Sequence, residues 1–295
     1  MIECVPNLSE GRDASAIEQI ADVVRSSGCR VLDIHRDQDH HRSVLTIVGT
    51  RALIVRGVVS MVEAAIPLID MRRHRGQHPR MGAVDVVPFV PIRENTLADC
   101  VAVAQEAGAA IGDQFEIPVF LYEAAASKPE RRNLAAVRRG GLEALRERIG
   151  ATSERPDYGP AHLHPTAGAV AVGARRFLVA YNVNLATDDL AIARAIASSI
   201  READGGLPGV KALGIPLASR RLAQVSMNLT NIEATTIAEA FAHVSEEADR
   251  RGVRIAESEI VGLAPRAALR DATTEGLLLT RDLAEVVLEE RIEAG

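Results

Sequence analysis

The chain has no tryptophan, and its other aromatics are 3 tyrosines and 5 phenylalanines among 295 residues. Proteins that hold single-stranded nucleic acid stack bases on aromatic side chains, and this chain has few to offer. An excess of positive charge is missing too: 40 acidic against 34 basic side chains leave a net charge of −6. Surfaces that grip phosphate backbones are basic, so no nucleic-acid partner is expected. No apolar run approaches the roughly 18 residues of a membrane helix. The opening Met1-Ile2-Glu3-Cys4-Val5 carries an acid where a secretion signal carries bases. No membrane partner is expected, and the chain is assigned to the cytoplasm. Cysteine is scarce. Cys4, Cys29 and Cys100 are odd in number and stand in no metal or redox spacing, as for thiols in a reducing compartment.

Several catalytic signatures are also missing. There is no Gly-x-Ser-x-Gly elbow and no glycine-rich phosphate loop of the Rossmann or Walker type. What remains is general acid–base chemistry by a histidine, with bases and backbone amides holding anions.

What is present is the composition of a globular protein, 47% hydrophobic and 25% charged. The length suits one large or two medium domains. Apolar spacing and breaker residues predict a strand at Ile2–Pro6, a helix at Ala14–Ser26, strands at Val31–Ile34 and Ser43–Val48, a helix at Ala52–Ile69 and a strand at Val84–Ile92. A helix at Thr96–Ile111 and a strand at Pro118–Tyr122 follow. The same order then recurs: a strand at Phe177–Leu185, a helix from Asp188 to about Ala203, strands at Val210–Ile215 and Leu222–Leu229, a helix at Ala234–Arg251 and a strand at Arg254–Val261. Strand, helix, two strands, helix, strand is the split βαβ order. The expected fold is therefore α+β, with two ferredoxin-like (βαββαβ) subdomains at 1–176 and 177–295.

Between the repeats, Gly150–Gly168 is rich in glycine and proline and has no clear period. A ligand loop and a plain connector both fit it. The octet Gly76-Gln77-His78-Pro79-Arg80-Met81-Gly82-Ala83 is more specific. Pro79 keeps His78 out of helical geometry, and Arg72, Arg73, Arg75 and Arg80 surround it with positive charge. A histidine so placed can exchange a proton near neutral pH opposite an anionic ligand. A solvated basic loop would carry the same residues. The other histidines fall in groups: His35, His40 and His41 near Asp33, Asp37 and Asp39, His74 near His78, and His162 with His164. None has the spacing of a metal site, so no metal is expected.

Five segments carry a resemblance. Glu3-Cys4-Val5-Pro6-Asn7-Leu8-Ser9-Glu10-Gly11-Arg12, the stretch from Ile69 to Asp85, the stretch Asp157–Gly168, Ala180–Leu185 and Gln224–Leu229 are together similar, in order, to the folate-dependent formiminotransferases. The resemblance implies transfer of a formimidoyl group from N-formimidoyl-L-glutamate to N5 of tetrahydrofolate. It implies His78 as the catalytic histidine, with tetrahydrofolate as co-substrate. It implies a folate-binding loop at Gly159, Pro160, Ala161, His162, Leu163, His164, Pro165, Thr166, Ala167 and Gly168. It further implies sheets facing a central cleft or tunnel, and a homodimer. In the fused members a cyclodeaminase follows; here that activity is expected to be absent or separate. Both substrates carry carboxylates, for which Arg42 and Arg80 are the first candidates and Arg72, Arg73 and Arg75 further ones. Asp33 and Asp39 are candidates to orient a histidine or bind pterin nitrogens. Two departures from the family stand out: Gln77 where Glu is frequent, and His41 where Asn is more usual. Either could change the donor. A formyl-amino acid or another formimidoyl amine is one alternative, and a non-catalytic folate binder is another.

Overall fold

A computed structural model of the chain describes residues 1–75 and 80–294. Gly76, Gln77, His78 and Pro79, and with them the expectation of a catalytic histidine, lie outside the described residues. The chain divides into two compact units, Met1–Arg176 and Phe177–Gly295.

The first unit starts with β1 (Ile2–Cys4), inside the strand predicted at Ile2–Pro6, and β2 (Asn7–Leu8), which lies beyond it. Pro6 has no N–H to give the ladder, and the strand breaks there. Next come α1 (Ala14–Ser26), β3 (Arg30–Asp37), β4 (Arg42–Gly49), α2 (Arg51–Leu68) and β5 (Val84–Pro91). Asp13 caps α1 by accepting the amides of Ser15 and Ala16. α2 carries Pro67 in its last turn and stops one residue later. The β1–β5 strands pair antiparallel in the spatial order β3, β4, β1 and β2, β5. α3 (Leu97–Phe115), β6 (Val119–Glu123), the short helices α4 (Leu134–Val137) and α5 (Gly141–Arg148), and β7 (Val170–Ala174) complete the unit. β7 lies between β5 and β6 and is parallel to both.

β7 went unpredicted, and its presence revises the organisation. The loop ending at Gly168 leads into a central strand of the first sheet. It is internal to the first unit and does not join two repeats.

The second unit contains β8 (Val179–Leu185), α6 (Leu190–Ile200), β9 (Val210–Leu217), β10 (Leu222–Leu229), α7 (Ile237–Arg250), β11 (Ile255–Val261) and a terminal helix α8 (Leu288–Glu293). Its sheet order is β11-β8-β10-β9, antiparallel throughout. By sequence position that is fourth, first, third, second strand. β5, β1/β2, β4 and β3 stand in the same order in the first unit. The caps fall slightly inside the predicted ones. Asp189 caps α6 rather than Asp188, and Thr236 with Glu239 forms a reciprocal capping box on α7.

Each sheet buries one face against helices. In the first unit Leu45, Ile47, Phe89 and Val119 join residues of α1, α2 and α3 in one core. A second cluster places Val137 of α4 and Leu145 of α5 against Val86, Phe120 and Tyr122 on the opposite face of β5 and β6. In the second unit Tyr181, Val183 and Val225 pack with Ile196 of α6 and Val244 of α7. No helix among the described residues is long and apolar enough to cross a membrane.

Candidate active site

The turn between β3 and β4 is held by its own side chains. The His40 amide donates to Asp37 Oδ1 at 2.7 Å, and His41 takes a left-handed backbone with φ 49°. That conformation turns the His41 ring toward the loop after β2. There the Gly11 amide donates to His41 Nδ1 at 3.1 Å, and Glu10 lies 3.4 Å from the same nitrogen. A ring nitrogen that accepts an N–H carries no hydrogen of its own, so this geometry selects neutral His41 with its proton on Nε2. Burial pushes the His41 pKa below its ordinary value, against the opposing pull of Glu10.

His74 stacks on this ring. The centroids are 4.4 Å apart and the planes 18° from parallel. His74 Nε2 donates to the His41 carbonyl at 2.9 Å. Its Nδ1 is buried and has no hydrogen-bond partner among the described residues. Protonation would place an unsatisfied N–H there. Burial accordingly lowers the His74 pKa from 6.5 to about 4. The folded value lies below the unfolded one, so the stabilisation by neutral His74 is complete above about pH 6.5 and is lost as pH falls toward 4. His74→Gln should flatten that part of the stability-versus-pH curve. Urea melts of parent and variant that lose the same stability over this interval would contradict the assignment.

The stretch after residue 79 is also fastened. The Met81 amide donates to Asp85 Oδ1 at 2.7 Å, and Asp85 forms a buried ion pair with Arg138 beyond α4. Arg80 is largely covered and meets the exposed Glu143 of α5 at 3.1 Å. Arg80 Nε has no hydrogen-bond partner among the described residues. Arg42, at the start of β4, is near enough to Arg138 to act on it electrostatically, and Arg80 acts on both stacked histidines. Arg42 and Arg138 thus lie near one another, and Arg80 lies near the stacked histidines.

The loop from Asp157 to Gly168 reaches two places. At its start, Asp157 pairs with buried Arg131 at 2.6 Å and accepts the Leu121 amide at 2.7 Å, and the Val119 amide donates to the Tyr158 carbonyl. At its end, the amides of Met71 and Ala83 donate to the carbonyls of Thr166 and Ala167, each at 2.8 Å, and the Ala169 amide to that of Met81 at 2.9 Å. The loop therefore binds both flanks of residues 76–79. Gly82 makes this approach possible, because a Cβ there would run into the Ala169 carbonyl; Gly168 meets the Met81 carbonyl with φ 74°. His164 is structural, since its Nδ1 accepts the Ala167 amide at 3.0 Å and the Thr166 amide at 3.3 Å. His162 is exposed.

Each sheet also carries polar residues on the face away from its long helices. In the first unit the pairing places Asp33 opposite Thr46, Glu3 opposite Val48 and Asn7 opposite Val44. These alternate with the core residues Leu45 and Ile47. Asp33, Thr46 and Glu3 are buried. In the second unit Asn182, Asn184 and Gln224 are buried on the corresponding face. Asn182 and Asn184 donate to Glu259 and Glu257, each at 2.9 Å, and Gln224 donates to Asn184 at 2.9 Å. Gln224 Oε1 has no partner among the described residues. Arg220 meets Glu257 at 2.6 Å.

Both units match one family. The N-terminal subdomain of the formiminotransferase domain matches residues 1–175, and the formiminotransferase domain matches residues 180–292. The chain belongs to the formiminotransferase family. It is 45% identical to a glutamate formimidoyltransferase of Streptococcus pyogenes, covering 92% of this chain and 91% of that one. It is 44% identical to one of Thermoplasma acidophilum, covering 99% and 97%. The formimidoyltransferase-cyclodeaminase of Rattus norvegicus is 39% identical over 92% of this chain, which spans 51% of that protein.

Against the expectations for a formiminotransferase, the geometry sorts the candidate residues. Asp39 and Arg42 share the β3–β4 turn with His41, and Arg80 joins them through its field. Asp33 lies four residues before Asp37, the last residue of β3, about 13 Å at a strand's rise. Arg72 is held by Asp70 at 2.6 Å on the surface and Arg73 is exposed, so both face solvent. Arg75 is exposed and bonds the His74 carbonyl. Gly159, against the Ile117 carbonyl, and Ala161 and His162 belong to the loop's outward start. Leu163 to Gly168, with Pro165 exposed, belong to its end near Met81. Arg138, Asp85, His74 and the Asn182–Asn184–Gln224 row had no assigned role in the sequence. For the last of these a signal existed: polar residues at every second position in two strands. Among the described residues, no group of three or more His, Cys, Asp or Glu is placed to hold a metal ion.

Proposed function

We propose that this formiminotransferase moves the formimidoyl group of N-formimidoyl-L-glutamate to N5 of tetrahydrofolate, releasing L-glutamate and 5-formimidoyltetrahydrofolate. The observation that carries the reading is the match of both units to one family, with relatives named for this activity along nearly the whole chain. N5 attacks the amidine-like donor carbon and forms the new C–N bond. His78 takes the proton that N5 gives up. The bond from carbon to the glutamate nitrogen then breaks, and that nitrogen leaves with the proton His78 returns. One histidine serves both steps, because the first makes the acid the second needs.

Arg42 and Arg80 receive substrate carboxylates. Glu143 is exposed, so exchanging it for a substrate carboxylate costs Arg80 little. Asp33 and Asp39 face the pterin or orient a histidine. The residues from Gly159 to Gly168 contact the folate, and what supports this is the bonding of the loop's end to both flanks of residues 76–79. Two ferredoxin-like subdomains, with the catalytic histidine in 1–176, complete the proposal. The recurring strand order and the polar sheet face in each unit, taken separately, support that part. A homodimer and a separate cyclodeaminase belong to the same reading, and no metal takes part.

Donor choice is the direct test. N-formimidoyl-glutamate and N-formyl-glutamate are supplied in turn with tetrahydrofolate. The proposal expects kcat/KM for the formimidoyl donor to exceed that for the formyl donor by orders of magnitude. Preference for the formyl donor would assign the chain to a related one-carbon transfer, and folate binding without turnover of either would make it a binding protein. The loop placement has its own check. Saturating folate should slow proteolysis within residues 159–168, and equal cleavage with and without folate would count against it.

A further inference from the structure

The stacked histidines lie outside the acid–base role just proposed, yet they tie together three pieces of chain, one of which leads into residues 76–79. His41 bonds the loop after β2 through Gly11, and its carbonyl receives His74. His74 precedes His78 by four residues. On the other side of that segment, Asp85 holds the Met81 amide. No described contact makes either stacked ring a proton carrier for substrate. The one nitrogen of His41 that accepts is used by Gly11, and the one nitrogen of His74 that donates is used by His41. We propose that His74 is a positioning residue for the transfer step, fastening the N-terminal flank of the His78 segment to the β3–β4 turn through its stack and hydrogen bond on His41.

A proton-transfer group must stand within hydrogen-bond reach of the atom it serves. Four residues separate His74 from His78, and a flank loose by an ångström is enough to spoil that reach. A parallel stack fixes the ring plane, and the bond to the His41 carbonyl fixes its rotation. Together they set where residue 74 stands relative to Arg42 and Asp39 on the same turn. Charging the pair would break this lock: burial disfavours a charge on either ring, Arg80 acts against it on both and Arg12 on His41, and Glu10 opposes them.

This inference rests on the proposed role of His78, and the test separates the two. Parent enzyme, His74→Phe, His74→Gln and His78→Ala are compared for kcat, for KM of folate and donor, and for thermal unfolding. His74→Phe keeps a flat ring on His41 and removes the donor. It should lose on the order of 10- to 100-fold in kcat, the scale of a small misplacement, with both KM values and the melting temperature close to the parent. His74→Gln places an amide N–H near the old Nε2 and should recover part of kcat. Parent-like kcat in His74→Phe, beside an inactive His78→Ala, would overturn the positioning role and leave the catalytic reading standing. A drop in melting temperature with unchanged kcat would mark a purely structural residue and also overturn it. An inactive parent, or an active His78→Ala, would instead remove the catalytic reading beneath it.

Discussion

Replacing His78 by alanine should abolish formimidoyl transfer while tetrahydrofolate still binds close to the parent affinity. The reaction asks for a proton to leave N5 of the folate and another to reach the departing glutamate nitrogen. Without a group that moves between those roles, the tetrahedral adduct reverts faster than it collapses forward. Loss of a general acid–base catalyst costs about 10²–10⁴-fold in rate. The residues proposed to hold the substrates, Arg42, Arg80 and Gly159 to Gly168, are untouched by the change, so binding should survive. Turnover and folate binding are measured on the same preparation. Turnover within tenfold of the parent would remove His78 from the chemistry, and loss of folate binding would give it a different role.

The second large effect is on stability. Asp85→Ala should destabilise the protein by on the order of 3–5 kcal/mol, the cost of leaving a buried ion without its partner. Asp85 is 2% exposed, and its partner Arg138 is 13% exposed at the side chain. The same carboxylate accepts the Met81 amide, so the substitution also unties the chain just after the His78 segment. Asp85→Asn keeps an acceptor for Met81 while removing the charge, and should cost less. Chemical denaturation of the three proteins at pH 7 gives the comparison. Equal midpoints for parent and Asp85→Ala would mean that Arg138 finds other solvation and that the pair does not hold this corner.

Elements with a strong apolar period were legible from sequence, some of them to the residue. α1 spans Ala14–Ser26 as its spacing predicts, and β10 spans Leu222–Leu229. Elements without a period were not. β7 is a run of small apolar residues, Val170–Ala174, buried at every position. With no alternation and no turn ahead of it beyond Gly168, it looks like the end of a loop. α4 and α5 are short, and α5 carries Arg146 and Arg148, so their buried stripe of Val137, Leu142 and Leu145 is too brief to stand out. The site divides in the same way. Arg42, Arg80 and the histidines could be named as residue types suited to anions and protons. The Asp85–Arg138 pair, 53 residues apart, and the contact of His41 with His74, 33 apart, depend on which strands become neighbours. Nothing local encodes them. The polar faces of the two sheets are intermediate: alternation in β8 and β10 announces a polar face, but only the pairing shows that Asn182, Asn184 and Gln224 share it.

The central claim is that one carbon changes nitrogen partners while the amino acid leaves intact. It is tested most directly with N-formimidoyl-L-glutamate carrying ¹³C in the formimidoyl group and ¹⁵N at the glutamate nitrogen, turned over with tetrahydrofolate and followed by NMR. A ¹³C signal bonded to N5 of the folate is expected, appearing in step with free [¹⁵N]glutamate. Release of ¹³C as formate or formamide, or ¹⁵N retained on the folate product, would contradict it.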